Sequence, residues 1–255
     1  ARFEVAEWIP GRTERPLAAP ERTTVWFVLP PLQRKGLEYG DAEKALLGAA
    51  TGLIAEGEPV LLTVARSMLP LVGKPDPWST VASPLGVEID TARVVFEWMP
   101  NMAEGGSVKT WQEIDGHPPA DSTSGGAIIE ALRGKRLFVS HATPIKVDAP
   151  DSSTAVVLAE IRPNALRWLE NDWRGDGVQI EEMPGGDRFA APIPVAVAVE
   201  AMGENGMQRL VAVGSGGWAL SALVNEAGTL GGDRLVLANP GNRELALSSI
   251  AWLAG

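Results

Sequence analysis

From Arg209 the chain spells Arg-Leu-Val-Ala-Val, then the glycine-rich turn Gly214-Ser-Gly-Gly217, then Trp218-Ala-Leu-Ser221. A second apolar run, Arg234-Leu-Val-Leu-Ala238, leads into a closing amphipathic segment from Asn242. The order predicts strand, turn, helix, strand, helix, because glycines at a strand end free the backbone for a sharp reversal. A second such unit stands near the start. Thr24 to Leu29 is a short β-branched and aromatic run. Ala42, Ala45, Leu46, Ala49 and Leu53 then recur at helical spacing, with Asp41 placed to cap the first turn. Gly57 ends that helix and Val60 to Val64 continues as a strand. A strand, helix, strand succession implies parallel pairing through a crossover. The expected fold class is therefore α/β: a three-layer, mainly parallel sheet with helices on both faces and an antiparallel element near Asn205.

The remaining segments suit one domain over residues 23–255, preceded by an extended N-terminal arm, 1–22, with one short strand at Phe3 to Trp8. Residues 70–125 form an irregular, loop-rich region, because Pro70, Pro75, Pro77, Pro84, Pro100, Pro118 and Pro119 break every long period and only Ala92 to Trp98 reads as a strand. Further strands are predicted at Arg136 to Ser140, Ser153 to Ile161, Ile193 to Glu200 and Arg209 to Val213, with a hairpin turn at Glu204-Asn-Gly206. Pro163 predicts the first turn of a short helix carrying Leu166 and Leu169 inward. Gly175, Gly177, Pro184, Gly185 and Gly186 predict a mobile loop. The closing helix aligns Ala246, Ser249, Ile250 and Leu253 on one face.

Composition excludes several functions. A formal charge of −10 with scattered Lys and Arg removes the counterion-release term, so nucleic acid is not an expected partner. The absence of cysteine removes thiolate nucleophiles and Cys-ligated zinc together. His117 and His141 are the only histidines and have no ligand spacing, so no metal and no catalytic residue is assigned. No run approaches the ~20 apolar residues that cross a bilayer.

Gly214-Ser-Gly-Gly-Trp-Ala219 fits the G-x-G-x-x-A pattern of dinucleotide-binding turns. That chemistry requires an acid at the end of the following strand to hold a ribose, whereas here Asp233 precedes the strand and Asn239-Pro240 ends it. A structural tight turn is the simpler reading, and no cofactor is expected. Val213-Gly-Ser-Gly-Gly217 also lacks the first glycine of a nucleophile elbow. Nine tryptophans against one tyrosine suggest recognition surfaces as well as core packing, with Trp218 the first candidate.

The strand and glycine turn at 209–217 and the terminal Asn-Arg-Glu helix ending in Trp252-Leu-Ala-Gly255 resemble the extracytoplasmic domain of gliding-motility-type ABC transporter auxiliary components. Thr24 to Pro31, Gly40 to Val64, Ser83 to Asp90 and Pro192 to Glu200 follow the order of that family's elements. The same domain type resembles the N-terminal region of an intraflagellar-transport complex subunit. The resemblance implies a Rossmann-like, glutamine-amidotransferase-like fold without catalysis, on the outer side of the cytoplasmic membrane. It also implies membrane anchoring only through segments absent from this chain, and as partners an ABC transporter membrane subunit or related envelope proteins, with a glycan or small ligand as a further option. The family usually carries acidic residues where Ser215 and Gly217 stand here. If a ligand crevice exists, the carboxyl ends of the strands form it, which singles out Ser140, His141, Ser215, Trp218, Asn239 and Asn242, with Pro30 nearby. The alternatives are a nucleotide-binding enzyme using the Gly214 to Gly217 turn, or a soluble sugar-binding lobe.

Overall fold

The computed structural model describes residues 4–255 apart from 18–20, 31–37, 101–105, 116–125, 172, 174–187, 204–205, 221–223, 225–226 and 230–234. His117, the glycine-rich stretch 175–186 and the turn residues 204–205 thus lie outside the described residues.

Strand β1 (Trp26–Val28), helix α1 (Asp41–Ala55) and strand β2 (Val60–Thr63) form the expected parallel unit, with Trp26 beside Val60 and Val28 beside Leu62. Gly40, in an extended conformation, occupies the position before α1, and Asp41 and Glu43 lie in the first turn, where the helix dipole favours negative charge. The helix ends on Gly57, whose φ of +79° permits the Glu58 N–H to reach back to the Leu53 carbonyl at 3.0 Å.

The central sheet has the order β1, β2, β12 (Gly206–Val213), β11 (Ile193–Gly203), β9 (Ser153–Ile161). Alternate side chains of its strands feed two separate cores. Leu61, Val211 and Val213 face α2 (Gly126–Leu132), β7 (Arg136–Ser140) and the terminal helix α3 (Pro240–Ala254), through Ile128, Leu132, Val139, Leu245 and Leu253. Val60, Leu62, Leu210 and Ala212 face Leu53 and Ile54 of α1 and a tightly turned stretch that contributes Trp78, Leu85 and Ile89. Complete burial of β2 on both faces explains why it reads as an unbroken apolar run.

The expected mainly parallel, three-layer architecture is corrected by the pairing. Among the described residues strand outweighs helix. The pairings β1 with β2 and β2 with β12 are parallel. The other seven described pairings are antiparallel. They build a mixed central sheet and four small sheets: β10 (Arg167–Glu170), β4 (Val94–Met99) and β5 (Ser107–Lys109); β3 (Val87–Ile89) with β8 (Ile145–Val147); β6 (Trp111–Asp115) with β7; and β13 (Ala227–Thr229) with β14 (Leu235–Leu237). The βαβ unit at the start is present, and β11 and β12 join as a hairpin, with Gly203 opposite Gly206.

Local chemistry accounts for the other departures. The segment after Pro163 is a strand, not a helix. Asn164 Oδ1 accepts the Leu166 N–H at 2.7 Å, a turn that competes with a helical start, and the chain then pairs with β4. Leu169 is buried and Leu166 exposed, so the two do not share an inward face. Residues 4–9 are irregular, not a strand. The region expected to be loop-rich holds β4, which overlaps the strand expected over Ala92 to Trp98, and in addition β3, β5 and β6. Among the described residues no helix is long and apolar enough to cross a membrane.

Candidate functional site

The Gly214 turn lies where β12 ends against three other elements. The Gly214 N–H donates to Val195 O at 2.8 Å, and its carbonyl accepts the Thr143 N–H at 2.7 Å. A Cβ at Gly214 would collide with the Thr143 carbonyl oxygen, so close backbone approach and not φ requires glycine here. Beyond it the chain makes a single turn, closed by the Leu220 N–H on Gly217 O at 3.2 Å. Residues 216–219 form this turn; beyond it Val224 is helical and its N–H donates to Leu220 O at 2.9 Å, while residues 221–223 between them lie outside the described residues.

The polar side chains of this region are engaged inside the fold. Ser215, fully buried, donates its hydroxyl to the Ser140 carbonyl at 2.8 Å. Trp218 is also fully buried; its Nε1 donates to Thr63 Oγ1 at 3.0 Å and its ring lies 6.0 Å from that of Phe27. Asn242, in the first turn of α3, accepts the Phe138 N–H through Oδ1 at 2.7 Å, and its Nδ2 donates to the carbonyls of Phe138 and Trp218, both at 2.7 Å. Gly241 makes this possible, because a Cβ there would lie 2.5 Å from Arg136 O and hold α3 away from β7. Asn239 is the residue before α3, nearly buried, and its side chain makes no capping bond to the helix.

Ser140 and His141 are the partly exposed members of the expected group. Ser140 Oγ is 2.9 Å from His141 Nδ1. His141 has a φ of 49°, the one positive value at a non-glycine residue among those described, and its N–H is anchored on Thr110 O at 2.7 Å. Ser140 stands opposite Trp111 across β6 and β7, and Trp111, at 37% exposure, has Lys109 Nζ 5.8 Å from its ring centre. Pro30 is buried.

The structure thus joins Ser140, His141, Ser215, Trp218 and Asn242 into one cluster around the ends of β7 and β12, with Asn239 one turn before Asn242. These five side chains carry no formal charge; Ser140 and His141 offer a hydroxyl and an imidazole at the surface, the neighbouring Trp111 adds an indole face with Lys109 beside it, and a closed amide network lies beneath. Sequence reasoning missed Trp111, Thr63 and Phe138. Trp111-Gln-Glu-Ile114 alternates outward and inward and was legible as a strand, whereas the Thr63 and Phe138 contacts come from residues 155 and 104 positions away and leave no local signal. Among the described residues no group of three or more His, Cys, Asp or Glu is arranged to hold a metal ion. No protein-family model matches this chain, and no curated protein matches it significantly.

Proposed function

We propose that this chain is a non-catalytic recognition domain of an envelope transport assembly, the extracytoplasmic part of an ABC transporter auxiliary subunit. The observation that supports a non-catalytic role is the closed network at the glycine turn: Ser215, Trp218 and Asn242 are buried and direct their polar atoms at Ser140 O, Thr63 Oγ1, Phe138 and Trp218 O. A phosphate-binding turn instead presents backbone N–H groups at a helix N-terminus. The transport assignment rests on the resemblance of the 209–255 segment. The partner-facing surface is placed at Ser140, His141 and Trp111, the partly exposed side of the cluster.

A cysteine-free chain makes the test site-specific. Ser140→Cys carrying a cross-linker is expected to capture the transporter's membrane subunit in solubilised membranes, while a cysteine at Asp151, on another part of the surface, does not. Equal capture from both positions, or none from Ser140→Cys, would contradict the assignment.

Glycan recognition is a second reading, favoured by the exposed ring of Trp111 beside the Ser140 hydroxyl. Quenching of tryptophan fluorescence by oligosaccharides that disappears in Trp111→Ala would support it.

A further inference from the structure

Residues 4–16 run across the α1 side of the molecule and are held there by few side chains. Val5 is 91% exposed and Leu17, just after this stretch, 97%. Trp8 packs edge-on against Trp26, with ring centroids 5.4 Å apart, and joins the core cluster that also takes Leu46. Arg15 forks between two carboxylates, Nη1 to Glu56 and Nη2 to Glu58, both at 2.6 Å, with its guanidinium 4.9 Å from the Trp26 ring centre. Glu58 in turn accepts Trp26 Nε1 at 3.2 Å. Between the two anchors the Arg12 and Thr13 N–H groups close a turn on Ile9 O, and Gly11 passes close to α1, where a Cβ would lie 3.2 Å from that of Ala45.

The cradle is complementary to a cation. Glu56 and Glu58 follow the C-terminus of α1, where the helix dipole is itself negative, and α1 has no basic residue in its last turn. Arg15 supplies the positive charge that this end lacks. Its pKa is raised above the ordinary arginine value, chiefly by the hydrogen bond it donates to Glu56, so the guanidinium keeps its charge. Partly exposed ion pairs hold weakly, and a segment with so little buried surface opens well below the cost of global unfolding.

We propose that Trp26, Glu56 and Glu58 form a recognition groove for an extended partner segment bearing an aromatic residue and an arginine, spaced as Trp8 and Arg15 are. In the isolated chain the N-terminal arm fills this groove as a displaceable occupant. The groove is separate from the Gly214 turn and does not depend on the transport reading.

The probe is a labelled synthetic peptide of residues 4–16, titrated into the full chain and into the full-length double variant Trp8→Ala/Arg15→Ala. The tethered arm competes at high effective concentration, so the variant is expected to bind the peptide at least about tenfold more tightly than the unsubstituted chain. A peptide with both substitutions should bind neither. No binding of the native peptide by a folded double variant would overturn the proposal. Hydrogen exchange on the unsubstituted chain guards against a variant that fails to fold: the Arg12 and Thr13 amides should exchange far faster than those of Leu61 and Leu62. Equal protection would make the arm an integral part of the fold and would also overturn it.

Discussion

The side-chain amide of Asn242 acts on Phe138 as a neighbouring strand would, accepting its N–H and donating to its carbonyl, each at 2.7 Å. One asparagine thereby satisfies the outer edge of β7 and fixes the first turn of α3, and its third bond, to Trp218 O, ties in the glycine turn. Unpaired strand edges template unwanted association, so this contact protects the sheet as well as holding it. Asn242→Ala leaves three backbone groups without partners and is expected to lower stability by about 2 to 4 kcal/mol. Asn242→Asp keeps the acceptor but sets a carboxylate against two carbonyl oxygens, and should do at least as much damage at neutral pH. Urea denaturation of both variants checks this, and a loss no greater than that of a surface Asn→Ala control would contradict it.

Two glycines are fixed by close approach to another backbone. Gly214→Ala pushes a methyl group into Thr143 O, and Gly241→Ala places one 2.5 Å from Arg136 O. Neither neighbour is a flexible side chain that can move aside. Each substitution is expected to cost about 1 to 3 kcal/mol as overpacking. Gly48→Ala, in α1 with open space around it, should be neutral or stabilising in the same thermal melts.

Gln112 makes the opposite case. Its side chain points with Ile114 into the core, opposite Val139, and both of its amide atoms are buried with no hydrogen-bond partner among the described residues. An unpartnered buried amide is costly, so Gln112→Leu is expected to raise stability by about 1 kcal/mol. Destabilisation by this substitution would show that the amide holds a partner in solution, such as an ordered water.

The Glu130 and Arg133 pair is a surface contact at 2.6 Å. The hydrogen bond from Arg133, more than its charge, lowers the Glu130 pKa below the ordinary glutamate value. A carboxylate whose folded pKa is depressed contributes above its unfolded pKa, and the contribution fades as pH falls through the lowered folded value. NMR titration should show the Glu130 midpoint rising in Arg133→Ala, with little change in melting temperature because both groups are exposed.

The first parallel unit and the closing hairpin and helix were legible because their signals are local: helical spacing from Ala42 to Leu53, the unbroken apolar run of β2, the glycine at 206. The sheet's overall direction was not. Whether a strand lies parallel or antiparallel to its neighbour depends on the length and route of the connection, and β3 and β5 offer only three residues each, too few for a period to stand out. Trp168 illustrates the limit: Pro163 is a fair helix start, but pairing with Phe96 and burial of the indole outweighed it. Of the candidate residues, position at strand ends was readable, but not the inward aim of Trp218, because Thr63, its partner, lies far away in sequence.

The scaffold role of the glycine turn is tested most directly by thermal denaturation with millimolar NAD, ATP or FAD. A closed network around Ser215, Trp218 and Asn242 gives an unchanged melting temperature with each, whereas bound nucleotide raises it by several degrees at concentrations well above Kd. Such a rise, abolished by Gly217→Val, would contradict the reading of this turn as architecture.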